Sequence, residues 1–111
     1  MKAWEKLQWY VAQKFIEMGD KFARPTAGSG NGNENGDVFT KFPFRVECKQ
    51  RSTKHLSINM DVWDKNKASI PLKSSIRPLV FLENKDGRRF CVIEADDFFD
   101  ILQENQDDKL K

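Results

Sequence analysis

Histidine and cysteine are scarce in this chain, which limits the metal chemistry that it can carry. It has one histidine and two cysteines, and no Cys-x-x-Cys pair. A structural zinc site usually needs four such ligands at close spacing, so the composition does not indicate a zinc-binding module. Cys48 and Cys91 each lie in a predicted strand among apolar residues, and we expect both to be buried, reduced thiols.

Long apolar runs are also absent. No stretch is long enough to span a membrane, and the N-terminus lacks the pattern of a secretory signal. The Gly/Asn-rich segment 27–36 contains no Gly-Lys-Ser/Thr sequence and no helix is predicted after it, so it does not match a phosphate-binding Walker motif. These absences favour a cytoplasmic protein without membrane contact.

Charge is nearly balanced overall, at a formal net charge of +2, but it is unevenly distributed. Residues 41–89 carry twelve Lys or Arg against five Asp or Glu, whereas residues 94–111 carry seven acids against two lysines. The basic middle of the chain favours a polyanionic partner such as DNA. An ordinary mixed surface charge is the alternative interpretation.

One short segment, 44–51, alternates apolar and charged residues, the pattern of a half-buried β-strand. Glu47 and Lys49 are two residues apart and therefore share the charged face. Asp37 precedes Glu47 by ten residues and directly follows Gly36. Two carboxylates and a lysine that converge can hold Mg²⁺ and a scissile phosphate together. A solvated sheet face beside an ordinary turn residue is the alternative.

These residues and their order resemble the PD-(D/E)XK nuclease superfamily. The array Asp37…Glu47-x-Lys49 is preceded by a helix with Glu5, a strand with Arg24 and the sequence Gly28-Ser29-Gly30, an order similar to that of archaeal-type and phage-type Holliday junction resolvases. The resemblance covers roughly residues 4–102. It departs from the family pattern at Gly36, where a proline is usual, and at Glu5, which lies about one helical turn early.

The resemblance implies a Mg²⁺-dependent endodeoxyribonuclease, with Mn²⁺ as a substitute, that makes paired incisions in four-way DNA junctions as a homodimer during recombination and repair. Asp37, Glu47 and the backbone carbonyl of Cys48 would bind the metal, and Glu5 would join them or bind a second ion. Lys49 would orient or activate the attacking water, and Ser29 would act at the cleaved phosphate.

DNA contacts are expected from six residues of the loops and strands around this site: Arg24, Ser29, Arg45, Arg51, Lys54 and His55. The Gly/Asn-rich segment is interpreted as a DNA-contacting loop, with a plain linker as the alternative. The dimer contact could come from Trp63, Trp9 or Phe42, although each also suits the core. Two other functions remain open, namely another nuclease of the same chemistry (restriction-like, nicking or repair) and a DNA-binding module without catalysis.

Hydrophobic periodicity and turn residues predict the elements of an α/β fold. Helices are predicted over 4–18 (ended by Gly19), 58–66 (capped by Ser57 or Asn59) and 95–103, and strands over 22–26, 36–40, 42–50, 76–83 and 88–94, with a turn at 84–87. The order α-β-β-β-α-β-β-α indicates an α/β domain with a central mixed β-sheet flanked by helices. The resemblance implies that this is one restriction-endonuclease-like domain over residues 1–105. A polar C-terminal tail is expected over residues 106–111.

Overall fold

A computed structural model describes residues 1–26 and 36–110 of the chain. Three helices and five strands follow in the order α1 (Ala3–Glu17), β1 (Arg24–Pro25), β2 (Val38–Phe39), β3 (Phe44–Gln50), α2 (Met60–Ala68), β4 (Arg77–Glu83), β5 (Arg89–Val92) and α3 (Ala95–Leu110). The α/β class and the expected order of elements are confirmed.

The sheet has the strand order β1-β2-β3-β4-β5. Neighbouring strands are antiparallel except β3 and β4, which run parallel over their whole length, from the pair Phe44–Arg77 to the pair Gln50–Glu83. A parallel pair needs a crossover connection, and α2 supplies it. The expected mixed sheet is therefore present, and β3 is its central strand.

Two separate apolar clusters lie on the two faces of this sheet. On one face α1 packs against β2 and β3, burying Leu7 and Val11 against Val38 and Val46. On the other face α2 packs Trp63 against the β4 side of the sheet. Because this second cluster lies over β4, helix α2 covers only part of that face of the sheet.

The ends of several elements follow local signals in the sequence. Gly19 ends α1 with a φ of +108°, a value that suits glycine after a helix. Asn59 caps α2, since its side-chain oxygen accepts a 2.8 Å hydrogen bond from the N–H of Asp61. In the turn 84–87, Asn84 Oδ1 accepts from the N–H groups of Asp86 and Arg88. The predicted stop, cap and turn are all confirmed.

Other predictions of local structure are corrected. β1 and β2 have two residues each, instead of the five predicted for each. Helix α3 continues to Leu110, so the prediction that it ends at residue 103 is wrong. Cys48 is buried as expected, but Cys91, on the edge strand β5, is exposed.

Three bulky apolar side chains of the last helix are open to solvent. Phe98, Phe99 and Leu102 are 45%, 63% and 44% exposed. Polar contacts hold the start of α3: Glu94 accepts from the indole N–H of Trp63 and the ammonium of Lys67, each at 2.9 Å. Trp63 itself is buried, so the prediction that it could form a surface dimer patch is wrong.

Candidate active site

Asp37 lies immediately before β2 and pairs irregularly with β3. Val38 is the partner of Val46 in the β2–β3 register, yet the N–H of Asp37 also donates to the carbonyl oxygen of Val46, at 2.6 Å. Two residues of one strand thus oppose one residue of the other, which is the arrangement of a β-bulge. A bulge redirects the side chain that it carries, and here it turns the Asp37 carboxylate along β3 toward Cys48 and Glu47.

Glycine is required immediately before this aspartate. Gly36 has a φ of +83°, and a Cβ there would lie 2.6 Å from the carbonyl oxygen of Val46. Proline fixes φ near −65° and therefore fits neither this backbone nor this space. The local geometry of this chain therefore explains why glycine, and not proline, precedes Asp37.

Two side chains lie close together as the sequence predicts, those of Asp37 and Glu47. Asp37 is 8% exposed, its Oδ2 accepts a 2.8 Å hydrogen bond from the N–H of Cys48, and its carboxyl group is within hydrogen-bonding reach of Glu47. Burial, and then the hydrogen bond and negative charge of Asp37, raise the pKa of Glu47 to about 7. The Asp37 carboxylate therefore destabilises the charged form of Glu47.

Two lysines partly offset this repulsion. The ammonium groups of Lys49 and Lys65 each act to lower the pKa of Glu47, against the larger effects that raise it. Lys49 was predicted from its position two residues after Glu47. Lys65 was not, because it belongs to α2, and a lysine in the last turn of a helix is ordinarily explained by the helix dipole.

The backbone of Cys48 serves this site while its side chain does not. The Cys48 thiol lies in the cluster under α1, where burial first and the charges of Asp37 and Glu47 next raise its pKa. Its N–H donates to Asp37, on the β2 side of β3. Because the N–H and C=O groups of one strand residue point to the same side, the Cys48 carbonyl also faces β2, as the predicted metal-ligand role requires.

Glu5 is placed away from the two carboxylates. It lies in the first turn of α1, which packs on the opposite face of β3, and its Oε1 accepts a 3.1 Å hydrogen bond from the N–H of Lys2. Its charge is not among those that shift the pKa of Glu47. The structure therefore gives Glu5 a role at the helix N-terminus and does not bring it to the predicted metal site.

The residues expected to contact DNA have different surroundings. Arg45 is buried, and its guanidinium donates to the carbonyl and hydroxyl oxygens of Ser69 at the end of α2, so it joins α2 to β3 rather than facing solvent. Arg24 is exposed and lies over the ring of Phe39, 5.3 Å from its centroid. Ser29 lies outside the described residues.

Arg51, Lys54 and His55 follow the C-terminal end of β3. Arg51 is half-buried, while Lys54 and His55 are exposed in a loop that is fixed through its backbone. The Lys54 carbonyl accepts from the side-chain amide of Asn84, and the neighbouring Thr53 carbonyl accepts from the N–H of Lys85. These three side chains thus lie beyond Lys49, in the loop that follows β3.

The donor set at Asp37 and Glu47 fits a hard divalent cation only in part. Two carboxylates in contact, one with a raised pKa, form a site that a cation would stabilise, and the Cys48 carbonyl offers a third oxygen. Within residues 1–26 and 36–110, no group of three or more His, Cys, Asp or Glu side chains that could hold a metal ion is found. The remaining ligands would then be water or substrate oxygens, as is usual for Mg²⁺.

Comparisons with known proteins add no further assignment: no family model matches the chain, and the searches of curated proteins and of solved structures give no match either. Among its described helices, none is both long enough and apolar enough to cross a membrane. The geometry of the site and the resemblance in its motifs are therefore what bears on function.

Proposed function

We propose that this protein is a metal-dependent endonuclease of the PD-(D/E)XK type. The observation that carries the proposal is the contact between the Asp37 and Glu47 carboxyl groups, with Lys49 two residues further along the same strand. The order of the elements supports it, since a mixed sheet with helices in the order α-β-β-β-α-β-β-α is what the resemblance leads us to expect.

Each residue has a distinct part in the proposed mechanism. Asp37, Glu47 and the Cys48 carbonyl would hold a Mg²⁺ or Mn²⁺ ion, which when bound polarises the scissile phosphate and lowers the pKa of a water. Lys49 would orient the attacking water and neutralise the charge that develops on the phosphorane oxygens. Glu47 must be ionised to bind a cation, so its raised pKa makes metal binding sensitive to pH near neutrality.

Four-way DNA junctions are the particular substrate that we propose, on the strength of the resemblance to resolvases. A homodimer would suit it, because a junction presents two symmetry-related strands for paired incision. The exposed Trp9 remains a candidate for the dimer contact, whereas Phe42 stacks against Phe15 in the core, with ring centroids 5.8 Å apart.

A cleavage assay tests both the chemistry and the substrate. Wild-type protein, Asp37→Asn and Glu17→Gln would be incubated with Mg²⁺ and a four-way junction, a linear duplex or single-stranded DNA. Glu17 is an exposed carboxylate near the far end of α1, paired with Lys14, so Glu17→Gln controls for loss of one negative charge.

Paired nicks in the junction alone, lost in Asp37→Asn and kept in Glu17→Gln, are the expected result. Sequence-dependent cuts in duplex DNA with the same dependence on Asp37 would retain the nuclease and replace the resolvase. Binding of DNA with no cleavage under any divalent cation would favour the non-catalytic DNA-binding module.

A further inference from the structure

One leucine protrudes from the loop that joins α2 to β4. Leu72 is 95% exposed, the highest value among the bulky apolar side chains that the structure describes. Single exposed apolar residues are common on soluble proteins and need no explanation by themselves. Leu72 differs from them because the backbone beside it is held in a conformation that costs free energy.

The chain makes a tight turn at Leu72. The N–H of Ser74 donates to the carbonyl oxygen of Pro71 at 3.2 Å, which closes the turn. Lys73, its third residue, has a φ of +64°, and among the described residues it is the one non-glycine residue with a positive φ. Glycine or asparagine is usual at such a position, because a larger side chain makes this conformation unfavourable. A costly conformation that the surrounding structure maintains indicates a function for what it presents, and this turn presents Leu72.

Hydrogen bonds fix the loop on both sides of the turn. Before it, the guanidinium of Arg45 donates to the carbonyl oxygen of Ser69 at 3.2 Å and to its hydroxyl oxygen at 2.9 Å. After it, the hydroxyl oxygen of Ser74 accepts a 3.0 Å hydrogen bond from the N–H of Ile76. Leu72 is therefore held at the tip of an anchored loop.

The first of these anchors connects the loop to the candidate active site. Arg45 is two residues before Glu47 on β3, roughly 7 Å at the rise of a strand. The charges of the two side chains interact, since Glu47 acts to raise the pKa of Arg45 against the larger effect of burial. The start of the loop is thus bonded to a residue that lies beside Glu47.

The end of the loop borders the same site from another direction. Ser74 lines a groove of about 660 Å³ whose lining also includes Thr26. The N–H of Thr26 donates to the carbonyl oxygen of Asp37 at 3.0 Å. Leu72, two residues from Ser74, therefore lies at the edge of a groove that adjoins the two carboxylates.

The groups around Leu72 favour a polyanionic partner. Residues 65–76 contain three lysines and no Asp or Glu. Lys67 pairs with Glu94, whereas Lys73 is exposed and makes no ion pair with the described residues, and two exposed serines follow it. One apolar side chain among cationic and hydroxyl groups is too small a surface to dock a protein. It matches the apolar wedges that DNA-binding proteins insert between bases while cations contact the phosphates.

We propose that Leu72 is a wedge that enters the base stack of branched DNA at the branch point, and that this insertion makes the protein bind a junction more tightly than a continuous duplex. Insertion into a duplex requires a base step to be unstacked, whereas bases at a branch point have already lost part of their stacking, so the same insertion costs less free energy there. The inference rests on the proposed nuclease function for the purpose of this preference, but the binding itself needs no catalysis.

Four variants separate the wedge from its surroundings. Leu72→Ser removes the apolar side chain, and Leu72→Met keeps one of similar size. Lys73→Asn removes the neighbouring charge but keeps the turn, because asparagine tolerates a positive φ. Leu102→Ser is the matched control, since it makes the same chemical change at an exposed leucine of α3, a helix whose first turn is acidic.

Binding would be measured by fluorescence anisotropy in EDTA, so that no cleavage occurs, with a labelled four-way junction and a labelled linear duplex of matched sequence. A fluorescent adenine analogue at the branch point, bright only when unstacked, reports the insertion itself. Leu72→Ser should weaken junction binding about tenfold and duplex binding by less than about twofold, and it should abolish the fluorescence increase.

The other variants have distinct expected results. Leu72→Met should keep both the junction preference and the fluorescence increase. Lys73→Asn should weaken binding to junction and duplex by the same factor, because a phosphate contact is common to both. Leu102→Ser should change neither affinity.

Thermal unfolding of each variant checks that the fold is kept, and Leu72→Ser should unfold near the wild-type temperature because the side chain is exposed. Equal wild-type affinity for junction and duplex, or a junction preference that Leu72→Ser retains, would overturn the proposal. So would binding to vesicles of anionic phospholipid that depends on Leu72 while DNA binding does not.

Failure of the nuclease function looks different, because the junction preference would still depend on Leu72 although no divalent cation supports cleavage. Cleavage that depends on Asp37, together with a junction preference that does not depend on Leu72, would instead overturn the wedge and retain the nuclease.

Discussion

The Oδ2 atom of Asp37 accepts a 2.8 Å hydrogen bond from the main-chain N–H of Cys48. Strand β2 begins only at Val38, so the Asp37 carboxylate takes the place of the backbone acceptor that a longer β2 would have supplied. The same side chain thus completes the pairing of β3 and faces Glu47. A structural role and a chemical role coincide in one carboxylate, and substitutions can separate them.

The two roles of Asp37 predict different outcomes for two substitutions. Asp37→Asn keeps an oxygen acceptor for the Cys48 N–H, so it should fold with near wild-type stability and lose Mg²⁺-dependent cleavage. Asp37→Ala should lose cleavage too and also lower the free energy of unfolding by about 1–3 kcal/mol, since it leaves a buried N–H without a partner. Urea unfolding and a single-turnover cleavage assay measure both. Wild-type cleavage by Asp37→Asn would contradict the site assignment.

The raised pKa of Glu47 predicts a stability that falls as pH rises. Glu47 binds its proton more tightly in the folded chain, with a pKa of about 7 against a usual 4.5, so between these values the folded state holds more protons than the unfolded state. Its contribution to stability is therefore full below pH 4.5 and is lost as pH rises through 7. Because this carboxyl is partly exposed, solvent screening reduces the effect to about 1 kcal/mol.

Glu47→Gln should remove this dependence. At pH 8 the variant should unfold about 4 °C above the wild type, and at pH 4.5 the two should differ little. Adding Mg²⁺ at pH 8 should stabilise the wild type more than Glu47→Gln, because only the former keeps both carboxylates. Thermal unfolding at several pH values, with and without Mg²⁺, provides the comparison. A variant that is less stable than wild type at pH 8 would show that the two carboxyl groups do not repel each other.

Two glycines with almost the same backbone angle test the close approach at Gly36. Gly36 and Gly87 have φ values of +83° and +80°, but a Cβ would meet the Val46 carbonyl only at Gly36 and nothing within 4 Å at Gly87. Alanine at either position should lower stability by about 1 kcal/mol through the unfavourable φ. Gly36→Ala should lower it further and reduce cleavage, because Asp37 must shift. Equal losses of stability, with cleavage unchanged, would mean that the close contact is relieved without moving Asp37.

Much of this fold could be predicted from the sequence, because local sequence signals determine where its elements begin and end. The stripe of apolar residues that includes Leu7 and Val11 fixes α1, Asn59 caps α2, and the Asn84–Gly87 turn joins β4 to β5. Alternation in β3 places Val46 and Cys48 in the core. The proximity of the Asp37 and Glu47 carboxylates was also predictable, because the two residues lie on either side of one hairpin turn.

What the sequence did not reveal depends on contacts between distant residues. The guanidinium of Arg45 bonds to Ser69, 24 residues away, so a residue expected to bind DNA instead anchors α2. The charge of Lys65 acts on Glu47 because α2 crosses over β3. The C-terminal end of α3 was missed because its last turns are polar and carry no apolar stripe, the signal on which helix prediction mainly relies.

Substitutions of Lys49 test whether this residue acts in catalysis or only attracts DNA. Lys49→Ala should lower the single-turnover cleavage rate by on the order of 10² or more, through loss of water orientation and of charge neutralisation in the transition state. Its junction Kd should rise by much less, since one phosphate contact among several is removed. Lys49→Arg should restore affinity but not the full rate, because a planar guanidinium does not reproduce a compact ammonium.

Lys65→Ala is the matched control, because both ammonium groups act on Glu47 while only Lys49 lies on the same strand as that carboxylate. It should raise the pKa of Glu47 further, so its cleavage rate should be reduced near pH 7 and recover at higher pH, whereas Lys49→Ala should stay slow at every pH. Rate–pH profiles of the two variants, measured beside their junction Kd values, provide the test. Small and parallel losses of rate and affinity in Lys49→Ala, with full rescue by Lys49→Arg, would reduce Lys49 to one more surface cation and remove the main support for the nuclease mechanism.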